Sequence, residues 1–236
     1  MAAVHCASVT NTRRAPSFRS ISPLDVLWRA GDRCTVIIAP HPDDETLGCG
    51  RLLAHAARRG VSVAVIVLTD GDASHLASKR WPPAALGRLR IGEMKRALAR
   101  LGAGDAPIRR LGWPDGQVST HGRMRQLATY LLSLNAGIVI FSSNADHHPD
   151  HQAAFRLARA ATHRLGLLLV SYAVWSRANT APAIIGRHRD AKRWAINAHR
   201  SQVGGYIADD PAGFRLAPRI LACLVDGTEQ LQSVTR

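Results

Sequence analysis

The 236-residue chain has little cysteine, almost no lysine and no long apolar run, and each shortage removes a class of protein. Its four cysteines, Cys6, Cys34, Cys49 and Cys223, contain no Cys-x-x-Cys pair, which argues against both a disulfide framework and a cysteine-held zinc site. They read as reduced thiols, and the chain as cytoplasmic. Met1-Ala2-Ala3-Val4-His5-Cys6 runs on to Arg13 and Arg14 without an apolar h-region, and nothing downstream stays apolar long enough to span a bilayer. Lysine stands only at Lys79, Lys95 and Lys192, so arginine carries the net charge of +14. Such a balance can mark a nucleic-acid or anionic-surface binder. Here the arginines are scattered, with Arg58-Arg59 and Arg109-Arg110 falling in predicted helices or at strand edges. No groove-reading element accompanies them. A general preference for Arg and Ala explains the charge, and no specific nucleic-acid partner is expected.

The stretch 1–33 is polar, rich in Ser, Thr, Arg and Pro, and without sustained periodicity, so it is expected to be a flexible or loosely packed arm. Residues 34–236 are expected to form a single domain. Thr35 to Pro40 is a short β-branched run, followed by a polar loop and a helical stretch from Thr46 to Arg59 that stops at Gly60. The pattern then repeats. Strands are expected at Val61–Leu68, Pro107–Leu111, Gly137–Phe141 and Leu167–Trp175, and helices at Pro83–Leu101, His121–Leu134, Asp150–Leu165 and Asp190–Ser201. Continuous apolar strands alternating with helices predict a Rossmann-like, doubly wound α/β fold, its mainly parallel sheet covered on both faces. In such sheets the ligand crevice opens beyond the carboxyl ends of the strands, where strand order reverses.

Two clusters fall on that crevice. His41-Pro42-Asp43-Asp44-Glu45 follows the first strand directly, and His147 to His151 follows the fourth. A divalent ion on nitrogen and oxygen donors needs neutral imidazoles and an ionised carboxylate, with positions left for water and substrate. His41, Asp44 and His151 supply such a set. Asp43 and Asp44 are neighbours that project differently, so one can bind metal while the other reaches a metal-bound water as general base. His148 lies about one helical turn before His151 and can look into the same crevice, with Asp150 as a carboxylate that orients it. A lone histidine more often caps, packs or faces solvent, so His5, His55, His75, His121, His163, His188 and His199 receive no metal role. For Asp43 and Asp44 the competing use is N-capping of the next helix.

Ala39-Pro40-His41-Pro42-Asp43-Asp44-Glu45 with His148-Pro149-Asp150-His151 resembles the PIG-L-like (LmbE-like) family of zinc-dependent de-N-acetylases. Leu68-Thr69-Asp70-Gly71, Arg90-Ile91-Gly92-Glu93, Leu111 to Gly116 and His199-Arg200-Ser201-Gln202 resemble family positions in the same order. The resemblance covers roughly Thr35 to Gln202. It implies one Zn2+ per chain, or another divalent metal, on His41, Asp44 and His151. It also implies Asp43 as base, His148 as a protonated group opposite it, and Arg90 and Asp115 as contacts to an N-acetylated amino-sugar substrate. Arg90 and Glu93 also read as a simple helix-surface pair. Where some members carry an aromatic residue two before the second motif, this chain has Asp146. The implied reaction is amide hydrolysis, with Asp43 or His148 left open as the source of the proton on the departing amine.

Two other readings compete. His41, Asp43 and His151 also spell the two-histidine, one-carboxylate triad of non-heme iron(II) oxygenases, although that triad would leave Asp44 and His148 without a task. Gly48-Cys49-Gly50 after the first strand suggests a non-catalytic Rossmann-like binding module. It lacks the third glycine at Leu53, and the preceding carboxylates would repel a pyrophosphate.

Overall fold

The computed structural model describes residues 18–20, 30–118, 123–163, 165–176 and 188–234. His5, Cys6, His121 and most of the 1–33 stretch lie outside these residues. Phe18–Ser20 forms β1. The apolar run Cys34–Ala39 forms β2, buried along its whole length, and Asp44–Arg58 forms α1. Val63–Thr69 (β3), Ile108–Trp113 (β4), Ala136–Ser142 (β5) and Leu168–Tyr172 (β6) continue the sheet. Between them run α2 (Pro83–Arg100), α3 (Arg123–Ser133) and α4 (Pro149–Thr162). The C-terminal part adds α5 (Arg189–Ile196), α6 (Arg200–Val203), α7 (Pro218–Asp226) and β7 (Leu231–Val234).

The strands lie in the order β1-β7-β6-β5-β2-β3-β4. The five strands from β6 to β4 are parallel, while β7 joins β6 and β1 joins β7 antiparallel. The chain moves outward from β2 to β4 and then returns to lay β5 on the other side of β2. The fold is therefore Rossmann-like α/β, and its switch point lies between β2 and β5. That placement brings the loops after β2 and β5 to one crevice. Two buried clusters pack against the opposite faces of the sheet, one under α1 and α2, the other under α3 and α4.

Two of the boundaries that differ from expectation are set by side-chain hydrogen bonds. The fifth predicted strand ends at Tyr172 because the amides of Val174, Trp175 and Ser176 turn to the Asp146 carboxylate instead of a ladder. The late helix stops at Ile196, and α6 begins afresh where the Ser201 amide and hydroxyl are both taken by Glu93. Such side-chain acceptors compete with helical pairing. Phe18–Ser20, inside the stretch read as an arm, stands at the sheet edge, and α7 and β7 had no clear periodic signal.

The glycines after the first strand serve packing rather than phosphate. A Cβ at Gly48 would stand 2.2 Å from Tyr172 Cδ2, and one at Gly50 3.0 Å from Lys192 Cγ. Between them α1 breaks at Cys49 (φ −131°, ψ 15°). The break is closed by a buried ion pair: Glu229 accepts from the Arg51 and Leu52 amides at 2.6 and 2.9 Å, and Lys192 Nζ donates to Leu47 O at 2.6 Å and to Glu229 at 2.9 Å. Removing one partner of such a pair strands the other charge and costs about 3–5 kcal/mol. Glu229→Ala should therefore lower the denaturant midpoint sharply, and a loss within the range of surface substitutions would show that the pair does not hold the break.

Candidate metal centre and catalytic crevice

The loop from His41 to Asp43 leaves β2, and α1 starts at Asp44, so all three side chains stand at the carboxyl edge of the central strand. Asp44 Oδ2 lies 3.2 Å from His41 Nδ1 and 3.2 Å from His151 Nε2, joining the two loops. Donors held about 2.0–2.1 Å from a tetrahedral ion stand about 3.3 Å apart, close to both spacings. His151 is fully buried, its Nδ1 is 2.9 Å from Asp146 Oδ2, and its Nε2 has no hydrogen-bond partner. A buried imidazole nitrogen that meets only the Asp44 carboxylate, without hydrogen-bond geometry, while its ring is fixed from behind fits a metal ligand. Among the described residues, His41, His148 and His151 form one convergent donor set, and His41, Asp115 and Asp150 another. His55, His75, His163, His188 and His199 belong to neither.

Asp43 stands apart from the shared contacts. Arg90 Nη2 reaches its carboxylate at 3.2 Å while Nη1 donates to Gly71 O at 2.8 Å. Gly71 has φ +67°, and a Cβ there would lie 2.4 Å from Arg90 Nη1, so the glycine lets the guanidinium pass. The surface-pair reading of Arg90 and Glu93 fails, because both are buried and Glu93 holds Ser201. Burial, opposed by Arg90 and reinforced by Asp44, pushes the Asp43 carboxyl up to about 7. A base with that value matches neutral operating conditions. Burial acts against Asp44 ionisation too, but His151 and His41 outweigh it and hold that carboxyl well below its usual range. The two neighbouring carboxylates therefore sit in opposite electrostatic surroundings. The iron(II) triad does not form, since Asp44 rather than Asp43 joins the two histidines.

The expected pairing of Asp150 with His148 is corrected. The Asp150 carboxylate accepts from the Gly116 and Val118 amides at 2.8 and 2.9 Å and faces His41 Nε2 at 3.2 Å. It is the Asp150 backbone N–H that donates to His148 Nδ1, at 3.2 Å, as His148 caps α4. An accepting Nδ1 carries no proton. Burial, with His41 and His151 nearby, also lowers the His148 pKa, which favours the neutral imidazole with its proton on Nε2. Asp115 accepts from the Ala73 amide at 2.8 Å and stands 3.1 Å from His41 Nε2. A cavity of about 300 Å³ brings together His41, Asp43, Asp44, Arg90, Asp115 and His148, with Trp175, Gln202 and Phe214 as further wall. A larger one, about 460 Å³, lies behind Trp175, but its described lining carries no carboxylate or imidazole.

The chemistry and the fold agree with the comparisons. The family model described as GlcNAc-PI de-N-acetylase, PIG-L, matches residues 36–162. A 1D-myo-inositol 2-acetamido-2-deoxy-alpha-D-glucopyranoside deacetylase of Mycolicibacterium gilvum is 30% identical over 255 residues, covering 82% of this chain and 88% of that protein. The enzyme of the same name from Nocardia farcinica is 30% identical over 223 residues, covering 82% of this chain and 71% of its own. Among solved structures, the conserved protein TT1542 from Thermus thermophilus matches with a TM-score of 0.63 at 29% identity, covering 86% of this chain and 93% of its own. The N,N'-diacetylchitobiose deacetylase from Pyrococcus horikoshii matches with a TM-score of 0.67 at 20% identity, covering 89% and 86%, and speaks for the fold. The crevice is that of a metal-dependent hydrolase. The chain belongs to the PIG-L family of de-N-acetylases.

Behind the centre, His199 is 1% exposed, with Nε2 3.3 Å from Thr46 Oγ1 and Nδ1 unpaired. Burial, with Arg90 adding to it, lowers its pKa from 6.5 to about 3. The unfolded chain therefore binds one more proton than the folded one between those values, and stability falls as pH drops through the window. His199→Gln should flatten the acid side of the stability profile, read from denaturant midpoints at pH 7 and pH 5. An unchanged slope would mean that His199 is not the group responsible.

Proposed function

We propose that the protein is a zinc-dependent N-deacetylase acting on an N-acetylglucosaminide, with His41, Asp44 and His151 as ligands and Asp43 as general base. The observation that carries this is Asp44 Oδ2 held 3.2 Å from an imidazole nitrogen of each loop, one of them buried without a hydrogen-bond partner. Relatives named as N-acetylglucosaminyl-inositol deacetylases, at 30% identity over most of both chains, support the substrate class. Bound zinc supplies a Lewis acid for the acetyl carbonyl and brings the pKa of coordinated water towards ~7. Asp43 takes the proton of the attacking water, and Arg90 keeps the carboxylate aimed. His148 donates from Nε2 to the oxygen that gains negative charge, which a neutral imidazole can do. Asp43 then returns its proton to the departing amine, since His148 carries only one. Arg90 and Asp115, on the cavity wall, also face the sugar. We read 34–236 as one domain, to which Phe18–Ser20 adds an edge strand. The reading places the enzyme in the cytoplasm, where buried Cys34 and Cys49 stay reduced.

The direct test is release of free amine from N-acetylglucosaminyl-inositol and other N-acetylglucosaminides by metal-stripped and zinc-restored protein. Asp43→Asn should keep zinc and lower kcat by ~10²–10⁴-fold, whereas Asp44→Ala should lose the metal. Zinc loss from the first variant and retention by the second would reverse the two roles.

A second readout needs no substrate. Burial disfavours charge on His41 and His151, but carboxylates outweigh it, raising His41 well above 6.5 and His151 to about 9. The His151 value leaves an extra proton on that ring at pH 7 that a metal ligand must give up, and the His41 shift works in the same direction. Zinc uptake should release protons, measured by calorimetry in buffers of different ionisation enthalpy. Release near zero would remove both histidines from the ligand set.

A further inference from the structure

Asp146 is fully buried, and its two carboxylate oxygens serve different neighbours. Oδ2 accepts from His151 Nδ1 at 2.9 Å and from the Val174 amide at 3.2 Å. Oδ1 accepts from the Trp175 amide at 3.0 Å, the Ser176 amide at 2.9 Å and the Ser176 hydroxyl at 2.8 Å. Its own backbone is fixed as well, the amide donating to Ser143 O at 3.2 Å and the carbonyl accepting from Gln152 Nε2 at 3.1 Å.

We infer that Asp146 is a positioning residue whose single carboxylate sets both the metal-binding nitrogen of His151 and the Trp175 wall of the catalytic cavity. On the histidine side, an acceptor at Nδ1 keeps the proton there and leaves the Nε2 lone pair facing Asp44, the arrangement a ligand requires. On the loop side, three successive amides wrap one carboxylate. They draw the chain out of the β6 ladder and set Trp175 into the cavity, edge-on to Phe214 at 5.9 Å. A carboxylate that only anchored the loop would use the same amides but would have no reason to meet the imidazole that joins Asp44. The inference rests on the metal reading above, while its first test needs only zinc.

Asp146→Asn separates the two halves. The amide can keep its oxygen towards Trp175 and Ser176, the three bonds that set the wall, while turning Nδ2, a donor, towards His151 and giving up only the longer Val174 bond. That forces the His151 proton onto Nε2. Zinc affinity, measured by competition with a chelator, should fall by about 10–100-fold. KM for an N-acetylglucosaminide at saturating zinc should stay within about twofold, whereas Asp146→Ala should also raise KM by about tenfold through the displaced wall. Equal zinc affinity in wild type and Asp146→Asn overturns the metal half, and an unchanged KM in Asp146→Ala overturns the wall half. A wild-type protein that binds zinc but deacetylates no glucosaminide would sink the proposed substrate and leave the metal half standing. Should the variants not fold, the imidazole ¹⁵N spectrum of the wild-type zinc protein decides: a proton on His151 Nδ1 is expected, and one on Nε2 overturns the inference.

Discussion

Everything at the crevice depends on concentrating negative charge where it is costly to bury. Asp43, Asp44 and Asp150 are nearly inaccessible and Asp115 is half-buried, yet Asp44, Asp115 and Asp150 all meet His41 and Asp43 stands beside them at the switch point of the sheet. Buried carboxylates persist only when cations or donors meet them. Arg90 meets one, backbone amides of Gly116, Val118 and Ala73 meet two others, and His41 and His151 meet Asp44. Two imidazoles drawn towards the protonated state by surrounding carboxylates mark a place built for positive charge. A divalent ion satisfies the same carboxylates and releases the protons, which is why this arrangement suits a metal better than a permanent network of ion pairs.

The fold supports that concentration through its connections. Parallel pairing of β2 with β5 aligns the ends of two strands from distant parts of the chain, and Tyr172 Oη donates to Ile38 O at 3.1 Å, tying β6 to the strand that presents His41. Gly48 is open to the Tyr172 ring, so the helix carrying Asp44 can lie close to the sheet. The break in that helix leaves amides and a carbonyl that Glu229 and Lys192 take up. The late segments thus act on the first loop by holding the helix that follows it.

The parts legible in the sequence were those written locally. Val36 to Ala39 and Val63 to Leu68 read as buried strands because their burial is continuous, and the His41 and His148 motifs stood at strand ends because both lie immediately after such runs. What escaped was decided by partners far along the chain. Asp150 looked like the orienter of His148 because the two are close in sequence, but the turn that caps α4 sends the carboxylate to His41 and leaves only the amide for His148. Asp146 looked like a departure from an aromatic position, and nothing near it foretold amides from beyond β6. Arg90 and Glu93 have the spacing of a surface pair, and only the packing of α2 against the crevice turns them inward. The strand β7 is short and half-exposed along its middle, so it carries no apolar run to betray it.

The correction at His148 also bears on how protons move. A histidine at the N-cap of α4 faces the positive end of a helix, which disfavours an added charge, and the amide that donates to Nδ1 fills the nitrogen that imidazolium would need to protonate. Two histidines drawn towards positive charge, His41 and His151, stand within 4.8 and 5.3 Å of its ring centroid. These influences outweigh the nearby Asp150 and Asp44 carboxylates, which act the other way. In the proposed mechanism these surroundings give His148 the part of a fixed hydrogen-bond donor, while Asp43, raised by burial and steadied by Arg90, takes a proton and gives it back. The division between a fixed donor and a proton carrier follows from the local backbone at α4 and the buried guanidinium at α2, rather than from the residue types alone.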